Sequence, residues 1–456
     1  MRRIDWAALL GGVGVPADGE AVSVEGHGVP GAMPDGYMLL MPEPGCCAGC
    51  RPEPDCTIEV LLDGTAWPGR GPVRVTGEWR RLPAEDPAGW RWQVRKARVA
   101  SAAGFGRRAM LAAPLLCAVP RMAGAQEAGA GRALLAGMAA MDLHSHAGRV
   151  IISRQGERPL APLAGPMREG GMALVALAMV ADTPVTHVVG QRIEAAREPA
   201  EGELWAHGER AFARLQRLVA EQGLAVVADR PALARAMQRG AGPSVVVAAE
   251  GADFLEGRLE RLEQIFRSQR LRHLQLVHYR VNALGDIQTA APVHGGLTKF
   301  GEAVVRECNR LGIVVDIAHA TLPLVRRAAE VSTRPLVLSH TALSRQPGPR
   351  SRLISVEHAR VVSGTGGVIG VWPVAGSAPS MKIYAENVAR MADAVGVDHV
   401  GIGSDMRGLL SPGAFEEYRQ TPALADALLG AGFDVAGASK VLGGNYARVL
   451  GAVLPG

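Results

Sequence analysis

Aromatic residues make up only 4% of the 456-residue chain, too few for the stacked platforms on which single-stranded nucleic acids are bound. An excess of charge of one sign is also missing. The 49 Lys and Arg face 44 Asp and Glu, a net +5 with no long basic run, so no nucleic-acid partner is implied. No charge-free apolar stretch reaches the roughly 18 residues that a spanning helix needs, so no integral membrane span is expected. Cysteine is scarce where it would matter most. Five of the six, Cys46, Cys47, Cys50, Cys56 and Cys117, precede residue 126, and only Cys308 follows. The long C-terminal portion therefore has no internal disulfide and behaves alike in reducing and oxidising compartments. What the chain does have is 48% hydrophobic and 20% charged residues, enough to bury a large core. Its length suggests about three domains of roughly 150 residues, unless part of it forms an α/β barrel, which runs to about 250 residues as one unit.

Residues 1–100 read as a small β-rich domain. Tyr37–Met41, Thr57–Leu62, Pro72–Gly77 and Trp90–Val94 are β-like runs between Gly/Pro turns, and their order is similar to small OB-like domains. Cys46, Cys47, Cys50 and Cys56 suit either a metal or disulfides; no second Cys-x-x-Cys lies at a finger-like distance. Residues 101–137 form the next segment. Arg107 and Arg108 precede an apolar run from Ala109 to Pro120 and the small-residue sequence Ala123-Gly-Ala125. This resembles a twin-arginine signal peptide, which implies export to the periplasm in the folded state, with a cytoplasmic location if the signal is unused. An Ala-rich linker is the alternative. A hundred residues precede the segment, so an internal start near Val94 or Val99, a joined reading frame or a vestigial signal in a fusion would each account for it.

From residue 138 to 456 apolar runs alternate with charged amphipathic stretches. Nine runs read as strands: Ala140–His146, Ala173–Val180, Leu224–Asp229, Ser244–Glu250, Leu274–Tyr279, Ile313–His319, Leu336–His340, Val368–Trp372 and Val400–Asp405. Near-continuous apolar strands separated by helices predict a parallel sheet covered on both faces. Nine candidates for eight places predict an α/β fold, a (β/α)8 TIM-like barrel with one extra edge strand. A doubly wound sheet is the second choice, weakened by the absence of a Gly-rich dinucleotide fingerprint.

The runs stop on polar residues: His144-Ser-His146, Glu250, His278, His319, His340 and Asp405. In a barrel these ends converge on one mouth, where active sites lie. The two-residue period of His144-x-His146 puts both imidazoles on one face of a strand. Imidazoles with a carboxylate suit Zn²⁺, and one Glu can bridge two ions. Such a pair lowers the pKa of a shared water and polarises a carbonyl, with a nearby carboxylate to move the proton.

Met141-Asp-Leu-His-Ser-His146, Ala249-Glu-Gly251, Gln275-Leu-Val-His278 with Asn282, Gly296-Leu-Thr-Lys-Phe-Gly301, Asn309 through His319, Leu338-Ser-His-Thr341, Val400-Gly-Ile-Gly-Ser-Asp405 and Leu442-Gly-Gly-Asn-Tyr-Ala-Arg448 occur in this order. Together they resemble the membrane dipeptidase (renal dipeptidase) family of zinc peptidases over about residues 138–452. The resemblance implies a dipeptidase with two Zn²⁺ ions per chain. His144 and His146 would hold one, His319 and His340 the other, and Glu250 would bridge them. Asp405 would contact the bridging water or carry its proton, and His278 would polarise the substrate carbonyl or stabilise the tetrahedral oxyanion. Arg352 would bind the substrate carboxylate with Asn282 nearby, the alternative being a solvated surface arginine. A homodimer is also implied.

Three departures stand out. His146 replaces the family's aspartate, Leu353 replaces the asparagine after the arginine, and Arg407 stands where an acidic residue is usual. They put the dipeptide substrate in more doubt than hydrolysis itself, so another small amide, an acylamino acid or a lactone is the second reading. A metal-binding envelope pseudoenzyme is the third. His399 is expected at the opposite end of the barrel, His294 in solvent, Cys308 in the core, Asp316 facing away from His319, and Gly364-Thr-Gly-Gly367 in a turn.

Overall fold

The computed structural model of the chain describes residues 1–10, 15–28, 37–42, 57–63, 72–82, 91–101, 129–153, 158–190, 192–344, 347–348, 350–374, 378, 380–410 and 413–456. Cys46, Cys47, Cys50, Cys56, Cys117 and the arginine-led segment 107–125 lie outside the described residues. The chain divides into two units, Met1–Gln126 with Gly190–Arg192, and Glu127–Val189 with Ile193–Gly456.

In the first unit, strands Arg2–Ile4, Ala21–Gly28, Tyr37–Met41, Ile58–Leu62, Pro72–Arg81 and Trp92–Ser101 make one sheet. Ala21–Gly28 pairs with both Tyr37–Met41 and Pro72–Arg81, so five strands close on themselves. Alternation drives this. Val22, Val24, Val73, Val75, Trp79 and Val94 are buried, while Arg74 and Arg80, at the intervening period-2 positions of Pro72–Arg81, are exposed. The barrel-like sheet matches the β-rich domain expected there, with two N-terminal strands that composition did not reveal.

The second unit is the expected barrel. Its strands are β1 (Ala140–Ser145), β2 (Met172–Val180), β3 (Ser244–Glu250), β4 (Leu271–Gln275), β5 (Val314–Asp316), β6 (Val337–Thr341), β7 (Val368–Val371) and β8 (Val400–Ile402). Each lies parallel to its neighbours in chain order. β2 and β3 pair over seven residues, Leu174↔Ser244 to Val180↔Glu250, and every residue of β3 is buried. Such strands are apolar on both sides because helices cover one face and the barrel core the other. Closure runs from β1 to the end of β8. Asp405 N donates to His144 O (3.0 Å), and His146 N donates to Met406 O (2.9 Å).

Each strand is followed by a covering helix: α1 (Ala164–Gly170), α2 (Glu203–Glu221), α3 (Glu260–Gln269), α4 (Lys299–Leu311), α5 (Leu322–Val331), α6 (Val356–Gly364), α7 (Met381–Val395) and α8 (Thr421–Gly430), with shorter helices besides. α2 shows the logic. Leu204, Gly208, Ala211, Phe212, Leu215, Leu218 and Val219 recur at helical spacing and are all buried. The carboxylate of Glu256 caps its start, accepting from Leu204 N (3.0 Å). Inside the barrel lie Met141, Leu143, Leu174, Ala176, Val246, Ala248, Val314, Val337 and Val368. Tyr446, Val449 and Val453 of the terminal helix Asn445–Val453 join the same core. Buried polar groups among these apolar side chains are paired, as where His273 Nδ1 meets Tyr446 OH (2.7 Å). Among the described residues no helix is long and apolar enough to cross a membrane.

Four strand assignments change, two of them because Ile313–His319 and Val400–Asp405 stop at Asp316 and Ile402. Leu224–Asp229 contributes only the pair Ala225–Val226, set beside the start of β3 as the extra edge strand. The run Leu274–Tyr279 begins earlier, at Leu271, and ends at Gln275, so His278 stands on the loop after β4. Cys308 is buried in α4, where the apolar surroundings push its thiol pKa up, and His294 is exposed, both as expected.

Candidate metal centre

Five imidazoles converge on one carboxylate. Glu250 ends β3. Its Oε1 lies 3.4 Å from Nε2 of His144, His319 and His340, and its Oε2 lies 3.2 Å and 3.3 Å from Nε2 of His146 and His278. Asp405 Oδ1 is 3.3 Å from His146 Nε2. All seven residues are buried. The expected pairing of the His-x-His imidazoles is present, with His144 and His146 Nε2 atoms 3.1 Å apart, and His319 and His340 Nε2 atoms stand 3.0 Å apart.

The backbone bends to achieve this. His319 and Asp405 lie beyond their strands at φ +66° and +46°, left-handed values that a non-glycine residue adopts at a cost of about 1 kcal/mol or more. Parity along a strand therefore does not reach them. Asp316, expected to face away, is instead buried inside the barrel.

Two buried aspartates fasten the ligand-bearing strands. Asp142 Oδ1 accepts from His144 N (3.2 Å) on β1 and Ser404 N (2.9 Å) after β8, and its Oδ2 accepts from Tyr418 OH (2.8 Å). Asp316 Oδ1 accepts from Ala318 N (2.9 Å) and Ser339 N (3.1 Å), the residues just before His319 and His340, while Oδ2 faces His273 Nε2 (3.2 Å). Each carboxylate thus fixes two strand ends at the point where ligand-type side chains emerge. Neither fastening was anticipated. The signal in the sequence was only an Asp two or three residues before a histidine.

Orientation of the rings follows from their outer nitrogens. His146 Nδ1 donates to Ala178 O (2.8 Å), and His278 Nδ1 donates to Asp182 Oδ1 (2.8 Å). Since carbonyl and carboxylate oxygens only accept, both rings keep the proton on Nδ1 and turn Nε2 inward. Ser339 Oγ stands 2.9 Å from His340 Nδ1 in the same position. Asp182, two residues past β2, is buried and was missed from sequence because no periodicity extends beyond that strand.

Electrostatics agree with a cation at this point. Burial opposes charge on His146, yet hydrogen bonds to Asp405 and Glu250 push its pKa up to about 10. Burial and nearby positive charge hold His319 and His340 well below the usual histidine range. Burial alone would raise Glu250, but the imidazoles of His278 and His144 keep its carboxyl well below the usual range. Three overlapping sets, His144/His146/Asp405, His144/Glu250/His340 and Glu250/His278/His319, have ligand atoms close enough to share an ion. Inward lone pairs 3.0–3.1 Å apart repel unless a proton or a cation lies between them, so the donor set fits divalent metal, and its mixture of imidazole and carboxylate suits zinc.

Arg352 is buried, not the solvated arginine of the alternative reading. NH1 donates to Gln288 Oε1 (2.7 Å), NH2 donates to His340 O (3.3 Å), and the guanidinium lies 4.9 Å from the Trp372 ring centre. Burial lowers its pKa, and its Nε has no partner among the described residues. Asn282 is placed differently from expectation. Its amide donates to Asp253 Oδ2 (3.1 Å) and Leu276 O (3.0 Å), and its oxygen accepts from Leu284 N (2.9 Å). That side chain is spent on bracing Asp253, which leaves it no free donor for a substrate. Arg407 is exposed at φ +68°.

Asp253 carries a pH prediction. Burial and the neighbouring Asp182 push its carboxyl up to about 6. The folded chain therefore holds a proton that the unfolded chain has released between about pH 4 and pH 6, so stability falls as pH rises through that window. Asp253→Asn removes this dependence. Thermal melts from pH 4 to 6.5 should show the variant gaining on the native chain, and parallel curves would refute the assignment.

A parallel (β/α)8 barrel with imidazoles and carboxylates gathered at the C-terminal mouth defines a metal-dependent hydrolase type of site. The family model described as membrane dipeptidase (peptidase family M19) matches residues 206–454, more than half of the chain, and the chain belongs to that family. Among its relatives, dipeptidase aclJ of Aspergillus oryzae is 32% identical over 192 residues, covering 40% of this chain and 45% of that protein. Mouse dipeptidase 3 is 34% identical over 163 residues, covering 34% and 32%. The chain spans about half the length, or less, of the relatives it matches. The solved structure of a Rhodobacter sphaeroides metallopeptidase, liganded with a phosphinate mimic of L-Ala-D-Ala, superposes with TM-score 0.57 at 21% identity, over 69% of this chain and 99% of that one. A probable dipeptidase from Pseudomonas aeruginosa superposes with TM-score 0.60 at 16% identity, over 72% and 98%. These two likenesses confirm the fold.

Proposed function

We propose that the chain is a metallo-dipeptidase that hydrolyses the peptide bond of dipeptides at a binuclear zinc site. The observation that carries this reading is the set of five inward Nε2 atoms around Glu250. His144, His146 and Asp405 would hold one ion and His319 and His340 the other, with Glu250 shared between them. Bound there, two divalent ions supply Lewis-acid polarisation and a water of lowered pKa. The protein's own groups do the rest. Asp405, on a strained turn at the rim, is placed to take and return a proton. His278 points Nε2 inward to meet the substrate carbonyl as charge develops on its oxygen. Arg352, a buried guanidinium with no carboxylate partner among the described residues, is suited to the substrate's terminal carboxylate.

The direct test is the zinc-reconstituted full chain with a panel of L,L and L,D dipeptides. Turnover that disappears in Glu250→Gln supports the proposal. No turnover at two bound zinc ions refutes it and moves the search to acylamino acids and lactones. Arg352→Lys supplies a finer prediction. A lysine keeps the charge but not the paired donors, and losing one charged hydrogen bond of about 1.5–3 kcal/mol should raise KM about 10- to 100-fold at nearly constant kcat. Steady-state kinetics checks this.

A further inference from the structure

We propose that Asp182 is a positioning residue for the reaction, acting through His278 by fixing which ring nitrogen carries the proton. Asp182 leaves the end of β2 and is fully buried. One carboxylate oxygen accepts from His278 Nδ1 (2.8 Å), and the other accepts from Tyr279 N (3.0 Å). The second bond makes the first selective. Tyr279 N–H is always a donor, so it locks the carboxylate in place, and the remaining oxygen meets the imidazole edge-on as an acceptor. His278 Nδ1 therefore keeps its proton in every state. Its Nε2, 3.3 Å from Glu250 Oε2, is thereby aimed into the site in one fixed ring orientation. Asp182 thus holds the ring edge that faces the substrate carbonyl.

The same geometry makes Asp182→Asn informative. The asparagine oxygen must face Tyr279 N–H, which turns the amide NH2 toward His278 Nδ1. A donor at that point forces the proton to Nε2, giving a neutral N–H donor that has lost the carboxylate's support.

This inference rests on the dipeptidase reading for its kinetic arm only. In the zinc-reconstituted full chain with ¹⁵N-labelled histidine, an Nδ1–H signal should be present, be assigned to His278 by its loss in His278→Gln, and be missing in Asp182→Asn. On dipeptides, Asp182→Asn should lower kcat about 10- to 100-fold with KM changed less than about threefold, and should have no further effect in the His278→Gln background. An equal loss of kcat in both backgrounds would show a merely structural role, and a native His278 protonated on Nε2 alone would overturn the proposal outright. If the native chain turns over no dipeptide, the proposed function fails and the ring spectrum still decides the role of Asp182. If Asp182→Asn does not fold, the native spectrum decides alone.

Discussion

Glu250→Gln is expected to leave a folded barrel that neither retains metal nor hydrolyses dipeptides. Glutamine preserves the shape at the end of β3 but removes the negative charge that five imidazole nitrogens surround. Taking one partner from a buried charged cluster costs about 3–5 kcal/mol. At about 1.4 kcal/mol per decade a loss of that size in metal affinity is roughly 10²- to 4 × 10³-fold, enough to empty the site on dialysis. Metal content after dialysis and turnover of the L,D and L,L panel measure both halves of the prediction. A variant that keeps its metal and most of its activity would remove Glu250 from the centre of the site.

Gly408→Ala should do comparable damage without replacing any of the site's side chains. A Cβ at this position would lie 2.0 Å from Asp405 Oδ1 and 2.6 Å from His146 Cδ2. The turn is already constrained, since Asp405 N donates to His144 O (3.0 Å) and Gly408 N donates to Asp405 O (2.9 Å). The backbone cannot yield, so the Asp405 side chain must swing out. A displacement of about 1 Å at a reacting group costs on the order of 10²-fold in rate. The expected result is a loss of kcat of that size with an unchanged melting temperature in the metal-free chain. A fall in metal-free stability instead would place the clash in the fold and not in the site.

The sequence foretold the barrel because its strands are covered on both faces and so appear as unbroken apolar runs, as in Met172–Val180 and Ser244–Glu250. The two-residue spacing of His144 and His146 was legible as a pair, and their Nε2 atoms do stand 3.1 Å apart, although His146 lies one residue beyond β1. Prediction weakened where the chain leaves the strand. Asp182 and His278 sit on loops, and no periodicity marks the pairing between them. Asp316 seemed to point away from His319 only because parity was carried past the end of β5 at Asp316 to a residue that is itself left-handed. Arg352 in the string Arg350-Ser-Arg352 resembles a surface arginine, and its burial depends on Trp372 and Gln288, residues distant in sequence. Asn282 failed for the opposite reason: a polar residue beside a motif histidine is as easily a brace for its own loop.

Asp142 joins strands at the two ends of the barrel, and its bond to Ser404 spans 262 residues of chain. Contacts so far apart form late, because the entropy of closing a long loop opposes them until the intervening strands and helices are in place. The corner made by His144, His146 and Asp405 therefore cannot assemble on a growing or truncated chain that stops short of Met406, however well its first seven strands have folded. The half held by Asp316, between adjacent strands and only 23 residues from Ser339, can form much earlier. Loop entropy alone thus orders the two halves, with the His319/His340 corner expected first and the β1–β8 corner last.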